Sequence, residues 1–427
     1  MKFLFKIILI ITFVLGTNAS NANTLLNSLE SAFLKNPKLN AERAKMRASI
    51  EERRESISEF LPSVTISGYV SDQQNTKTNG SDSNFKPAEQ SMTVEQKIFQ
   101  GGSGVANFMK KKHGQTLGEY KLLKAVQETL LDAAKAHTSV QLSRKKVNIN
   151  FINIDLLESQ VETDQNRLEK GQISLTDLAQ SESSLAGARA QLIAAENDLV
   201  TSISNFEKII GKKPTKDFEE IEEINLNLPK SLAAAYNISK NNNPELKITF
   251  LEYKQSKLDV IIAGSDLSPS ATLKYKVAEQ DNMSATIKDR TQKSVTATAT
   301  WPLFAGGKNL FSLRKMQEFR NQKELLYEDS KKKIETDVAN AWSNYQSSKS
   351  VLDSISSQVK AAEIANEGIT LEYESGRGRT TLEVIQSRTI LLNSRINLAS
   401  SERNFLISQF NLLSAIGRLT DEHLNLE

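Results

Sequence analysis

The sequence predicts a mainly α-helical chain, written twice, in which each copy also contributes a β-hairpin to a membrane β-barrel. Three observations predict it. A heptad seam runs through Leu178, Leu185, Leu192, Leu199 and Phe206, each partnered three residues later by Ser181, Ala188, Ala195, Ser202 and Ile209. It returns 206 residues on as Val384, Leu391, Leu398, Phe405 and Leu412, with Ser387, Ser394, Ser401, Ser408 and Ala415. Large and mostly small side chains sorted onto separate positions mark a coiled-coil helix that approaches its neighbour closely. Second, proline is missing from 105–169 and again from 308–371, so each stretch reads as one very long helix. Third, four short runs alternate apolar with polar residues, as strands with two different faces do.

Composition suits this reading. Only 8 Pro and 18 Gly occur in 427 residues, as long uninterrupted helices require. The 54 basic and 51 acidic residues nearly cancel with no basic block, so a nucleic-acid partner has no electrostatic footprint. With 0 Cys, disulfides, thiolate nucleophiles and Cys-type zinc sites are excluded. At the N-terminus, Lys2 and Lys6 precede the apolar run 7–15 and then small residues around Ser20-Asn21-Ala22. This reads as a secretory signal peptide, 1–22, cut after Ala22 or after Ala19. The run is too short for a membrane anchor, which needs about 20 apolar residues.

The first copy is expected over 23–215. A helix from Asn23 breaks at Asn36-Pro37 and ends before Leu61-Pro62. Strands follow at about 63–72 and 91–99, joined by a polar loop from Ser71 to about Gln90. Gly101 and Gly102 lack the lysine and spacing of a phosphate cradle and read as a strand-to-helix turn needing positive φ. A helical hairpin spans 105–211: the long helix, a break at Lys170-Gly171, and the heptad helix. Thr176 is its expected cap, with Asp177 where a carboxylate favours a helix N-terminus. Residues 216–230 read as an acidic linker.

The second copy is expected over 231–420. Asn243-Pro244 answers Asn36-Pro37, and Phe304-Ala-Gly-Gly307 answers Phe99-Gln-Gly-Gly102. Its strands fall at about 270–278 and 294–304, around a polar loop from Glu279 to about Gln292. Its hairpin spans 308–417, broken at Ser375-Gly376-Arg377-Gly378, and 421–427 is a tail.

Each long helix of about 65 residues is roughly 100 Å, too long for the interior of one globule. The heptad helix and the opening helix of the same copy, stacked end to end, match that length. Strands of about 8–10 residues come close to the 9–11 that a tilted strand needs to cross a bilayer. Four strands do not close a barrel, and open edges are not tolerated in lipid. Two copies give eight strands and a lumen filled by side chains; three give twelve and a conduit.

The duplicated hairpin-and-long-helix layout, with Gly171-Gln-Ile-Ser-Leu-Thr-Asp177 and Tyr373-Glu-Ser-Gly376 at the tips and Phe-x-Gly-Gly turns at 99–102 and 304–307, resembles the TolC-like outer-membrane efflux family. The resemblance covers about 23–420. It implies a homotrimer with a twelve-stranded barrel in outer-membrane lipid and a helical tunnel in the periplasm. It implies an exit duct for a tripartite efflux pump or a type I secretion system; from the residues themselves no enzyme and no cofactor are expected. The partners it implies are a periplasmic adaptor and an inner-membrane pump of RND, ABC or MFS type.

It also implies site residues. The tip is held shut by Asp177 contacting Tyr373 and an arginine; one inserted residue leaves Arg379 or Arg377 to fill that place. Glu383 matches the first acidic ring of the entrance, while Gln386 stands where a second acid is expected. Adaptor docking falls on Lys170, Gly171 and Gln172 and on Ser375, Gly376 and Arg377, both departing from the family's usual triplets. Read from the residues alone, the three histidines, His113, His137 and His423, are scattered, and no metal site or paired catalytic carboxylates stand out. His137 has Trp342 at its repeat-equivalent position and reads as packing. A surface-binding adhesin or receptor using the two polar loops is the competing function.

Overall fold

The computed structural model describes residues 24–76, 83–215, 226–284, 287–376 and 378–426. The expected signal peptide, most of the expected linker and Arg377 lie outside the described residues. The first copy contains α1 (Leu25–Lys35), α2 (Pro37–Glu55), β1 (Ser63–Val70), β2 (Gln73–Asn75), β3 (Ser83–Phe85), β4 (Ala88–Gln100), α3 (Ser103–Glu169) and α4 (Leu175–Ile210). The second contains α5 (Leu232–Asn242), α6 (Pro244–Ser265), β5 (Ser270–Ser284), β6 (Ile287–Thr300), α7 (Lys308–Glu374) and α8 (Thr381–Ala415), followed by the short α9 (Asp421–Leu424).

Helices α3 and α7 are each 67 residues long, about 100 Å at 1.5 Å per residue. Each starts at a glycine with positive φ, Gly102 at 89° and Gly307 at 80°, a conformation that a side chain would strain. Along α3, one half is flanked by α4 and the other by α1 and α2; α7 is flanked likewise by α8, α5 and α6. The end-to-end splice rests on one residue type used twice. Asn36 Oδ1 accepts from Leu39 N–H at the start of α2, while its Nδ2 donates to the Ile209 carbonyl at the end of α4 (2.9 Å). Asn243 caps α6 and donates to the Ala415 carbonyl of α8 (2.9 Å). A proline at the first helical position follows each asparagine, where its missing N–H costs nothing.

The seams are buried as the heptads require. Ser181, Ala188 and Ala195 of α4, and Ser387, Ser394 and Ser401 of α8, are buried against the long helices. Near the splices the wall thickens into a core of Leu29, Leu130, Phe206, Phe410 and Ile416, with Val338 from α7. His137 is buried in this region, its Nδ1 2.9 Å from Ser28 Oγ and its ring 6.2 Å from Phe206. Burial, and then Lys212, push its pKa down to about 4, so it is neutral at physiological pH.

The sheet is antiparallel in the order β1-β4-β5-β6, leaving β1 and β6 as edges. Its register sorts residues into rows: Val64, Val94, Tyr275 and Val295 align, and the next row is Thr65, Thr93, Lys276 and Ser294. The apolar rows are open to the surroundings, with Val64 at 62% and Val295 at 69% exposure, as a lipid-facing surface would be. The polar face carries the ion pairs Lys274–Glu95 (3.0 Å) and Lys276–Glu89 (2.5 Å).

Three expectations are corrected. Of the loop expected from Glu279 to Gln292, residues 279–284 and 287–292 are strand, because β5 continues to Ser284 and β6 starts at Ile287; the surplus over a bilayer crossing keeps its ladder of backbone hydrogen bonds. Likewise β4 begins at Ala88, inside the other expected loop. The cap of α4 is Ser174, not Thr176, which lies inside the helix.

Candidate functional site at the helical tips

At the end far from the sheet, each long helix turns back through a glycine in the left-handed region, Gly171 at φ 70° and Gly376 at φ 73°. Lys170, Gly171, Gln172, Ser375 and Gly376 are all exposed on these turns. The returning helices start alike. Ser174 Oγ accepts from Asp177 N–H (3.2 Å), and the Asp177 carboxylate accepts from Ser174 N–H (2.9 Å) and Oγ–H (2.7 Å). In the second copy Thr380 and Glu383 make the same reciprocal box. Asp177 and Glu383 are thus repeat-equivalent, 206 residues apart. The Ser174 hydroxyl and N–H lower the Asp177 pKa. The Thr380 N–H and then Arg379 lower that of Glu383, so both stay charged.

Arg379 is exposed and donates to Glu372 (2.6 Å) and Glu383 (2.9 Å). Glu383 and the exposed Gln386 line a shallow groove between α7 and α8 with Ala362, Ile369 and Ile390. Arg379 and Glu383 are therefore brought together. Tyr373 is not brought to Asp177 within one chain. It is buried at 3% exposure, and its hydroxyl donates to Asp164 Oδ1 of α3 at 2.6 Å. Since the phenol gives its proton to Asp164, the Thr381 hydroxyl at 3.0 Å must donate back to the phenol oxygen.

Asp164 is fully buried, and its carboxylate also accepts from Gln160 Nε2 (2.9 Å) and Ser181 Oγ (2.5 Å). Arg167 lies 4.1 Å over the Tyr373 ring and donates to the Tyr373 carbonyl (3.0 Å). Burial and then Asp164 raise the Tyr373 pKa, so the phenol remains a donor. Sequence reasoning missed Asp164, although a signal was there. Asn150, Leu157 and Asp164 are buried at heptad spacing on α3, so a carboxylate stands on a packing seam. Among the described residues no group of His, Asp or Glu is placed to hold a metal ion, and no helix is long and apolar enough to cross a membrane.

Comparison with known proteins bears on the family and the fold. Residues 28–212 and 235–418 match the family model described as outer membrane efflux protein. The outer membrane efflux protein BepC of Brucella suis is 25% identical over 422 residues, spanning 97% of this chain and 90% of BepC. TolC of Escherichia coli is 22% identical, spanning 96% of this chain and 85% of TolC. Among solved structures, the Campylobacter jejuni CmeC outer membrane channel superposes with a TM-score of 0.84 at 13% identity, over 93% of this chain and 86% of CmeC. The open state of the Neisseria gonorrhoeae MtrE channel gives 0.75 at 16% identity, over 93% and 89%. These structural likenesses bear on the fold.

Proposed function

The chain belongs to the outer membrane efflux protein family, and from that premise we propose how it assembles and closes as an exit duct. Three copies join β6 of one to β1 of the next, giving a twelve-stranded barrel. The long helices continue it as a periplasmic tunnel. The observation that carries this is the four-stranded sheet with both edges unpaired in the chain and an apolar face open to the surroundings. Such edges are not tolerated in lipid until they are paired.

The tips close the duct at rest. Asp177 and Arg379 sit beside the turns, where neighbouring copies meet and exchange these within-chain contacts for links to each other, with the charges of Glu383 at the entrance and the uncharged Gln386 beyond them. The exposed turns around Gly171 and Gly376 are the docking points for a periplasmic adaptor, which couples the duct to an inner-membrane pump of an efflux or type I secretion assembly.

The competing surface-binding function loses one of its two loops, since 279–284 and 287–292 are paired strand. Purified protein in planar bilayers should give discrete conductance steps, and shortening 73–85 should leave them in place. Absence of steps from intact protein contradicts the duct.

A further inference from the structure

We propose that Asp164, through the phenol of Tyr373, is the latch that fastens the two helical hairpins of one chain to each other and so sets the resting closure of the tip. The proposal rests on the duct reading above and adds a residue to which the family's motif at the tips does not point. Within a protomer the tip of α7 lies beside α3 and α8, and the Tyr373 side chain is fastened there in a buried network. The Asp164 carboxylate accepts from Gln160 on its own helix, from Ser181 across the first hairpin and from Tyr373 on the second. Thr381 of α8 completes the chain by donating to the phenol.

The arrangement has the properties of a latch rather than of general packing. Its acid is fully buried, and Tyr373 is at 3% exposure, so water does not replace the contact while it is closed. Separating the hairpins exposes both partners at once, and each then finds water. Opening therefore breaks these few hydrogen bonds together, and it does so once per copy. The repeat also shows that the site is specialised. Asp164 has Thr370 at its equivalent position, and Tyr373 has Arg167, so the second copy does not reproduce the acid. Arg167 instead covers the Tyr373 ring and holds the last carbonyls of α7, which keeps the phenol aimed at Asp164. Asp177, by contrast, spends its carboxylate on its own helix start.

The test is single-channel recording of the full-length trimer in planar bilayers, comparing Tyr373→Phe, Asp164→Asn and the double variant with wild type. Each single variant should raise open probability at least tenfold, since one charge-assisted bond is lost in every chain of the trimer. The double variant should add little to either single, because both remove the same contact. Asp177→Asn should leave the coupling between Asp164 and Tyr373 intact. Detergent-solution mass and far-ultraviolet circular dichroism establish that a variant is assembled. Should Tyr373→Phe or Asp164→Asn fail that check, Thr381→Val and Ser181→Ala remove hydroxyls at the edge of the network and should open the pore more modestly. Wild-type gating in all assembled latch variants overturns the latch while leaving the duct in place. Failure of every variant and of wild type to conduct overturns the duct itself.

Discussion

His137 makes the stability of the region near the splices depend on pH in a way that one substitution removes. The imidazole is buried beside Ser28 and Phe206, with its pKa lowered to about 4. The sign follows from which state binds the proton. In the unfolded chain the group titrates near its ordinary 6.5 and in the fold near 4. Its neutral form is therefore no burden above 6.5. As pH falls below 6.5 the unfolded chain takes up a proton that the fold refuses, and stability declines until pH reaches about 4, where the loss levels off. The difference between 6.5 and about 4, at 1.36 kcal/mol per pH unit, is about 3 kcal/mol per chain. With about 2.1 cal/mol/K of unfolding entropy per residue, that corresponds to a Tm shift of roughly 3–4 °C for a chain of this size. Carboxylates titrate in the same window, so the measurement is the difference between wild type and His137→Phe. Thermal unfolding followed by circular dichroism from pH 7 to pH 4 should give wild type the steeper decline by that amount. Equal slopes for the two proteins would refute the reasoning, whatever their absolute stabilities.

Two further substitutions test the wall. Leu192→Asp or Leu398→Asp places an unpaired carboxylate on a heptad seam and should cost a few kcal/mol, read as a lower Tm or loss of assembly. Asn36→Ala or Asn243→Ala removes a helix cap together with a bond to the last carbonyls of the helix stacked end to end with it, α4 or α8; each should cost about 1–3 kcal/mol, and the two costs should add because the sites do not share partners.

Much of this architecture was legible in the chain because duplication printed it twice. The paired Asn-Pro breaks, the Gly-Gly turns and the heptads recur at nearly constant spacing, and each element has a direct physical cause in its residues. The limits were of two kinds. Strand length was underread in 279–284 and 287–292, because beyond the lipid band a strand has no reason to alternate. There its hydrogen-bonded ladder, invisible to hydropathy, holds it extended. At the tips, local signals identified Asp177 correctly as a helix-start acid, and the structure gives it that use. What pattern alone did not supply was the partner of Tyr373. Two residues 209 apart in sequence meet there, and spacing along one helix says nothing of which helix lies beside it. The buried Asp164 on an otherwise packing seam was the available clue.

The two sheet edges left free among the described residues should be closed by two further copies of the chain. Light scattering of the purified protein in detergent, corrected for bound detergent, measures this directly. A single species of three chains is expected. A stable species of one, two or four chains contradicts it.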